Sequence, residues 1–397
     1  MRGNRQPEGA PRTAAVAGLR TEVLDRVEQL ERLAAAWDAL AARCDRPAAL
    51  AGWQLAWWRR FAAPGALLRA IAVWDGDQLV GLAALEARPG PRGRGVYRLL
   101  AADVTQRLEP LADPARRGEA LTAIAAALAA LRPSVGRLEL DHVDAAAGWP
   151  RALAASWPGR RAPWVLAEPP LPAPFADLRC DGFDAWLARK SANFRQQARR
   201  FRRRLLRAGG TVRMAGDAEA LARDVAAFAR LHHARWDERG GSSLPRELAP
   251  VLRDAGAALL AAQRMRVWVV ELDGRPVSVQ IFLAAGRTLQ YWNGGFDVAA
   301  AAARPSLVGM LAAIEDAIAR GEETLDLGGG AYDYKLRIAD GDRPLVSAAL
   351  VPRGRGHLRE RAALAPRALR LRARQAVAAL PAAQQARMRR LAARVRR

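Results

Sequence analysis

Cysteine and lysine are almost absent from the sequence. The 397 residues include two cysteines, Cys44 and Cys180, too few for a disulfide framework or a CxxC metal site. We interpret both as small buried hydrophobic residues of a protein in a reducing compartment. Lysine supplies only Lys190 and Lys335 of the 63 basic residues. A lysine is therefore unusual wherever it occurs in this chain.

Long apolar runs are also missing. No stretch reaches the roughly 18 consecutive apolar residues of a transmembrane helix. The basic N-terminus lacks the apolar region of a signal peptide. We therefore expect a flexible N-terminal tail over residues 1–19, in a protein that is cytoplasmic or peripheral to the inner face of the membrane.

The signatures of several enzyme classes do not occur. The sequence has no G-x-x-x-x-G-K-[ST] phosphate loop and no G-x-S-x-G nucleophile elbow. No cluster of His, Cys and Asp has metal-ligand spacing, so we expect no metal. Direct group transfer in a cleft is the chemistry that remains.

The positive charge is concentrated in two segments. The net charge is +23, residues 189–207 hold nine basic residues and no acid, and residues 353–397 hold fourteen arginines and one glutamate. The rest of the chain is therefore close to neutral, which makes nucleic acid an unexpected partner. The first segment is either a solvated helix face or a contact for an anionic acceptor. The second is either a loose, partly helical tail or a segment that lies on anionic lipid.

Two Asp-Gly hairpins organise the chain. Asp75-Gly76 and Asp273-Gly274 each lie between two strand-like runs, which is a strong hairpin signal. After each hairpin come a helix and a short alternating strand, centred on 138–140 in the first half and on 325–327 in the second. One supersecondary unit used twice predicts an α/β (α+β) fold with two tandem domains, each a mixed sheet flanked by helices.

Composition sets the expected domain boundaries. The prolines of residues 158–174 are typical of an inter-domain connection. We therefore expect a first domain over 20–178, a second over 179–352, and an Arg-rich helical or disordered tail over 353–397.

The second copy of the unit ends differently from the first. Its strand runs into Gly328-Gly329-Gly330 and a tyrosine-rich loop, whereas the first ends without glycines. We therefore place the chemistry in the second half. Tyr332 and Tyr334 are candidate proton donors to a leaving group, with core or rim tyrosines as the alternative. Asp326 is a candidate base, or a residue that orients one.

Two further features of the second half suit acyl transfer. A strand ending in Asn293-Gly294-Gly295 can diverge from its neighbour and free backbone donors for a carbonyl oxygen, although these glycines could equally form an ordinary turn. The helix that begins near Pro305 offers unpaired N–H groups to a pyrophosphate, and Arg304 adds charge. Ser306 lies at the same helix start.

The order of motifs resembles that of the CelD-type (cellulose-biosynthesis-associated) acetyltransferases of the GNAT superfamily. These are similar in layout to the FemABX peptidoglycan aminoacyltransferases. The resemblance covers roughly residues 20–350, and Arg304-Pro305-Ser306 departs from the family's Ser-Pro-Gly-like helix entry. The motifs are Trp186 with Ser191, Asn193 and Arg195; Leu231-His232 with Arg235-Trp236; Tyr291 with Gly295-Phe296-Asp297; and Leu325-Asp326-Leu327-Gly328 with Tyr334-Lys335.

The resemblance implies tandem GNAT-like domains and acetyl-CoA as the acyl donor. It places Lys335 at the active site, where a surface charge is the alternative. His232 is either a base that titrates near neutral pH or a satisfied helix histidine. The substrate-binding residues that it implies are Arg195, His232, Arg235, Trp236, Tyr291 and Asp297.

Three functions remain open at this point. The first is an N- or O-acyltransferase that modifies a sugar or glycoconjugate in envelope polysaccharide assembly. The second is a FemABX-like transferase that depends on aminoacyl-tRNA. The third is a non-catalytic protein that binds nucleic acid or a membrane through its basic tail.

Overall fold

Two mixed β-sheets with helices packed against them form the architecture. The structure is a computed structural model that describes residues 12–16, 18–237 and 240–378. The first half of the chain supplies these elements: β1 (Arg12–Val16), β2 (Leu19–Leu24), α1 (Val27–Arg32), α2 (Ala34–Arg43), α3 (Ala51–Phe61), β3 (Leu67–Asp75), β4 (Gln78–Gly90), β5 (Arg94–Leu99), β6 (Leu111–Ala112), α4 (Arg117–Ala130), β7 (Ser134–Asp144), α5 (Trp149–Ala155) and β8 (Trp164–Ala167).

The second half begins within the proline-rich connection. It supplies β9 (Pro174–Asp177), α6 (Phe183–Ala188), α7 (Ala192–Arg207), β10 (Thr211–Met214), α8 (Ala218–Asp237), α9 (Leu248–Leu259), β11 (Met265–Leu272), β12 (Arg275–Ala285), β13 (Thr288–Phe296), α10 (Pro305–Ala319), β14 (Thr324–Asp326), α11 (Asp333–Leu336), β15 (Gly341–Asp342), β16 (Leu345–Val351) and α12 (His357–Ala378).

The predicted repeat is present in the two sheets. The first sheet has the order β1-β2-β3-β4-β5-β7-β16-β8, with β6 beside β4, and the second has β10-β11-β12-β13-β14-β9-β15. In each sheet one pair of neighbours is parallel, β5 with β7 and β13 with β14. A parallel pair needs a crossover, which α4 and α10 provide.

Both predicted hairpins form because their turn residues tolerate a left-handed backbone. Asp273 and Gly274 have φ values of 51° and 70°, as a two-residue type I′ turn between β11 and β12 requires. Gly76 has a φ of 55° in the turn between β3 and β4. These short-range signals were therefore sufficient to predict both hairpins.

The two sheets do not divide at the predicted boundaries. β16, predicted as the last strand of the second domain, pairs with β7 and β8 in the first sheet. β9, predicted within the first domain, lies between β14 and β15 in the second sheet. The periodicity of a sequence indicates that a strand forms, but the sheet edge that it joins is decided by tertiary packing.

The ends of the described chain are more ordered than predicted. β1 pairs with β2, so residues 12–16 form a strand rather than a flexible tail. Residues 1–11 and 17 of that predicted tail lie outside the described residues.

The basic tail begins as a helix that docks on the first sheet. On α12, Leu364 packs with Val351, and Arg367 pairs with Glu139 and Glu168 at 2.8 Å. The helix passes through Pro366. These contacts offset the backbone hydrogen bond that proline removes. Residues 379–397, including Pro381, lie outside the described residues.

A single apolar core joins the two halves. It contains residues of α2, α3 and the first sheet together with residues of α8, α9, β11 and β12. At the crossing of α3 and α9, a Cβ on Gly52 would lie 2.6 Å from the Cβ of Ala258, so only glycine fits there. Trp53 and Trp57 are buried in this region. The relative position of the two sheets is therefore set by close packing.

Candidate functional site

The candidate site lies where β13 and β14 separate. The two strands pair only over Thr288–Gln290 and Thr324–Asp326, after which β13 continues to Phe296 without β14. On its other side β13 stays paired with β12 as far as Phe296. The predicted divergence is therefore from β14 and not from the hairpin partner. In the first sheet, β5 pairs with β7 over Arg94–Arg98 and ends one residue later.

A glycine loop forms the β14 side of this cleft. Gly329 N donates to Gln106 Oε1 at 2.6 Å, and Gly330 N donates to Pro172 O at 2.7 Å. Gly328 and Gly330 have φ values of 72° and 97°, which favour glycine over other residues. A loop from the first half of the chain thus holds the glycine loop in place.

Lys335 binds this loop through its side-chain ammonium group. Its Nζ donates to the carbonyl oxygens of Gly328 at 3.0 Å and Gly329 at 2.8 Å, and the residue is only 5% exposed. Burial lowers the pKa of the ammonium group to about 8, while the charge of Asp326 acts in the opposite direction. Lys335 therefore lies at the cleft and not on the surface. Its catalytic role stays a prediction.

The second lysine is buried in a similar way. Lys190 Nζ donates to Ile338 O and to Asp340 Oδ1, both at 2.6 Å. It lies 4.8 Å from the centre of the Trp186 ring. Lys190 thereby joins the segment between α6 and α7 to the segment after α11, outside the cleft. Because its burial resembles that of Lys335, Lys190 is a natural control for that residue.

Asp326 is not a free base. Its Oδ2 accepts from Arg107 Nε at 2.7 Å and its Oδ1 accepts from Gly328 N at 2.9 Å, with both side chains nearly fully buried. Arg107 also binds Asp144 at 2.9 Å and donates to Arg343 O at 2.8 Å. Its role as a base, or as a residue that orients one, stays a prediction. Asp326 anchors the glycine loop to the first half of the chain.

Two tyrosine hydroxyls and an arginine converge at the cleft. Burial raises the pKa of Tyr291 to about 12, while a hydrogen bond with Gln280 and the charge of Arg235 act in the opposite direction. Burial and the nearby Tyr291 raise the pKa of Tyr334 further, again opposed by Arg235. Tyr334 is 48% exposed, so its ring borders solvent. Both phenols stay protonated at neutral pH and can donate hydrogen bonds.

Aromatic rings surround this cluster. The Arg235 guanidinium lies 4.4 Å from the centre of the Phe296 ring and 5.9 Å from that of Trp236. Tyr332 stacks on Tyr334 with 6.2 Å between ring centres and 13° between planes. Tyr332 is 59% exposed, so it forms part of the rim rather than of the interior.

His232 is neutral and does not titrate near pH 7. Burial lowers its pKa to about 4. Its Nε2 lies 2.8 Å from Ser242 Oγ, and its Nδ1 lies 3.4 Å from Gly294 O. The residue ties α8 to β13 and to the loop that contains Ser242. These contacts and the lowered pKa favour the satisfied helix histidine over a base that titrates near neutral pH.

The predicted backbone donors of β13 are largely occupied. Asn293 Oδ1 accepts from Gly294 N at 2.8 Å. A Cβ on Gly295 would lie 2.7 Å from His232 N, and a Cβ on Gly294 would lie 2.5 Å from the Tyr291 hydroxyl. Both glycines therefore permit close approach of neighbouring groups.

The start of α10 offers little to a pyrophosphate. Leu307 N and Val308 N both donate to Arg304 O, at 3.0 and 3.3 Å, and Pro305 has no N–H. Ser306 Oγ lies 3.1 Å from Ser278 Oγ. The side chain of Arg304 is exposed and available for a phosphate. The predicted CoA-binding residues thus form a small anion site at most.

Two predicted substrate-binding residues have local structural roles. Arg195 Nη1 donates to Lys190 O at 2.6 Å and to Ala188 O at 3.3 Å. Asp297 Oδ1 accepts from Ala299 N at 2.9 Å and so caps the turn before α10. Among the described residues, no group of three or more metal-binding side chains occurs.

Sequence reasoning missed the contribution of residues 104–107. Val104 O accepts from Trp292 Nε1 at 2.9 Å, Gln106 contacts the glycine loop, and Arg107 binds Asp326. The segment has no periodicity or motif that singles it out, so only the packing of the two halves reveals it. A cavity of about 630 Å³ between α6, α7 and α10 lies away from the cleft and is not lined by any predicted catalytic residue.

Comparison with known proteins agrees with this geometry. Residues 192–336 match the family described as acetyltransferase (GNAT) domain. A crystal structure of FemX is 14% identical with a TM-score of 0.54, over 74% of this chain and 90% of that one. The chain has a tandem GNAT-like fold. It is α/β, with a mixed sheet and flanking helices in each unit, as the sequence predicted.

A second solved structure shares this GNAT-like fold. The C-terminal domain of a putative lysylphosphatidylglycerol synthetase from Agrobacterium fabrum is 11% identical with a TM-score of 0.52, over 84% of this chain and 97% of that one. No curated protein matches the sequence. At these identities the solved structures establish the fold alone, and the donor and the acceptor are inferred from the site.

Proposed function

We propose that the chain is an acyltransferase that moves an acyl group, acetyl in the simplest case, from acyl-CoA to an amine or hydroxyl of a sugar or glycoconjugate. The acceptor would belong to envelope polysaccharide synthesis. The observation that carries the proposal is the placement of Tyr291 and Tyr334 beside Arg235, where β13 leaves β14. Hydrogen-bond donors of this kind suit a reaction in which an oxyanion forms and a thiolate departs.

In the proposed step, the acceptor nitrogen or oxygen attacks the thioester carbon. The new C–N or C–O bond forms as the C–S bond breaks. Arg235 and the Tyr291 hydroxyl stabilise the oxyanion, and Tyr334 gives its proton to the departing thiolate. Since Asp326 and His232 are engaged elsewhere, the acceptor's proton leaves through solvent, which also restores the proton of Tyr334.

The test compares Tyr334→Phe with Tyr332→Phe in an acetyl-transfer assay over a panel of amino-sugar acceptors. We expect Tyr334→Phe to lower kcat by about 100-fold or more, as loss of a positioned general acid does. Tyr332→Phe keeps the stacked ring at the rim and should retain most activity. Equal rates for both variants, or no thiol release with any acceptor, would contradict the proposal.

An aminoacyl-tRNA donor is the second candidate. It is favoured by the start of α10, where two amides are occupied by Arg304 O and little remains for a CoA pyrophosphate. Calorimetric titration with acetyl-CoA and with charged tRNA separates the candidates. Salt-sensitive tRNA binding without CoA binding would identify aminoacyl-tRNA, rather than acyl-CoA, as the donor. The proposed acyl-transfer cleft would be the same in both cases.

A further inference from the structure

The outer face of α7 carries a row of arginines without acidic partners. Its apolar side packs inward through Phe194, Ala198 and Leu205, so the arginines point to solvent. Arg202 pairs with Glu315 at 2.9 Å and lies at one side of this row. Among the described residues, no carboxylate pairs with the five exposed arginines Arg199, Arg200, Arg203, Arg204 and Arg207.

Exposed apolar side chains gather on the same face. The described chain has eight exposed large hydrophobic residues, and five of them lie on α7 and the two segments that contact it. They are Leu206 on α7, Val298 in the turn before α10, and Tyr332, Tyr334 and Leu336 on or beside α11. The concentration is notable because exposed apolar residues are normally scattered singly.

Two contacts place these residues together. Arg337 Nη1 donates to Gln197 Oε1 at 3.4 Å, which brings α11 beside α7. On the other side Ala300 packs with Phe201 and Leu205, which brings the turn of Val298 against α7. We call α7, residues 332–336 and residues 297–303 together the α7 face. Its carboxylates Asp297 and Asp333 are outnumbered by the free arginines.

We propose that the α7 face docks on the surface of an anionic lipid bilayer. Arginines attract the negative surface, and Leu206, Val298 and Leu336 enter the boundary between headgroups and acyl chains, where tyrosines are also favoured. A nucleic acid backbone would satisfy the arginines but would leave these aliphatic side chains in water. The described residues include no helix able to cross a bilayer. Docking is therefore peripheral.

Docking would set the mouth of the cleft at headgroup level, because Tyr332 and Tyr334 belong to both features. An acceptor carried by a lipid could then reach the tyrosine pair directly. The inference does not rest on the proposed function, since a face that binds lipid can be measured without any acyl transfer.

Sedimentation of the full chain with vesicles tests the proposal. The vesicles contain equal parts phosphatidylglycerol and phosphatidylcholine, or phosphatidylcholine alone. The variant Arg203→Gln/Arg207→Gln should bind the anionic vesicles about 25-fold more weakly, since each basic residue near such a surface contributes about fivefold. Arg370→Gln/Arg372→Gln on α12 removes the same charge from exposed positions and should change binding little.

A second pair of variants tests the apolar part. Leu206→Gln should weaken binding severalfold, whereas Leu369→Gln, which is 63% exposed on α12, should not. Circular dichroism confirms that all variants fold. Equal losses from the α7 and α12 variants, equal binding to neutral vesicles, or RNA binding that replaces vesicle binding would each overturn the proposal. We expect the α7 variants to transfer acyl groups to a soluble acceptor at the wild-type rate. Loss of vesicle binding can then be distinguished from loss of the proposed acyltransferase activity.

Discussion

Replacement of Asp326 by asparagine separates a structural anchor from a catalytic base. Asp326 Oδ2 and Arg107 Nε are 2.7 Å apart, and both side chains are buried. Asparagine keeps an oxygen for Gly328 N but removes the charge that faces the guanidinium. Breaking a buried pair costs about 3–5 kcal/mol. Because Asp144 still pairs with Arg107 at 2.9 Å, we expect the lower end of that range, about 3 kcal/mol.

Urea unfolding followed by tryptophan fluorescence measures this loss. Arg107→Met should destabilise to a similar degree, because it leaves Asp326 buried and unpaired. The double variant Arg107→Met/Asp326→Asn should lose less than the sum of the two single variants, as expected for residues in contact. If Asp326→Asn lost less than about 1 kcal/mol of unfolding free energy but its kcat fell about 100-fold or more, the anchoring role would be refuted. Asp326 would then be a catalytic base.

The lysines, the cleft histidine and the β13 glycines provide the remaining predictions. Lys335→Met should abolish most acyl transfer, whereas Lys190→Met should lower the free energy of unfolding and leave kcat unchanged; similar kinetics in both would contradict this. Burial lowers the pKa of Lys335 from 10.5 to about 8. Between pH 8 and pH 10.5 the unfolded chain therefore binds more protons than the folded chain. The wild type should therefore gain stability relative to Lys335→Met as pH rises from 8 to 10.5, measured by urea unfolding at each pH, and a constant difference would disprove it. The C2 proton of His232 should keep its neutral NMR shift from pH 8 to pH 5 because its pKa is about 4; a midpoint near 6.5 would refute its burial. Gly295→Ala should cost about 1–3 kcal/mol because the added Cβ meets backbone at 2.7 Å. In Gly294→Ala the added Cβ would lie 2.5 Å from the hydroxyl of Tyr291, a side chain that can move. We therefore expect a lower kcat and little change in the free energy of unfolding.

Much of the fold could be predicted from local signals. The Asp-Gly turns that join β3 to β4 and β11 to β12 are encoded within a few residues, because only certain residues adopt a left-handed backbone. The basic segment 189–207 forms α7 over Ala192–Arg207, where the spacing of Phe194, Ala198 and Leu205 puts them on one buried side. The assignment of β16 to a sheet failed because strand partners far apart in sequence leave no local pattern.

The candidate site was predicted only in part. Tyr291, Tyr334 and Arg235 were named from motif order, and the structure brings them together. The role of Arg107 could not be predicted because its partner, Asp326, lies 219 residues away in the sequence. Asp326 and His232 were read as candidate bases from residue type alone. Burial and hydrogen bonding decide whether such groups are free, and both depend on the tertiary structure.

The sequence by itself determined that this protein repeats one α/β unit and that the second copy ends in a glycine loop with a lysine. Those features are local, so composition, turn residues and periodicity are sufficient to specify them. Only the tertiary structure decided that β13 leaves β14 after Gln290, that Lys335 lies beneath the glycine loop, and that Arg107 joins the halves through Asp326. These are long-range contacts, fixed by how two sheets pack around a shared core.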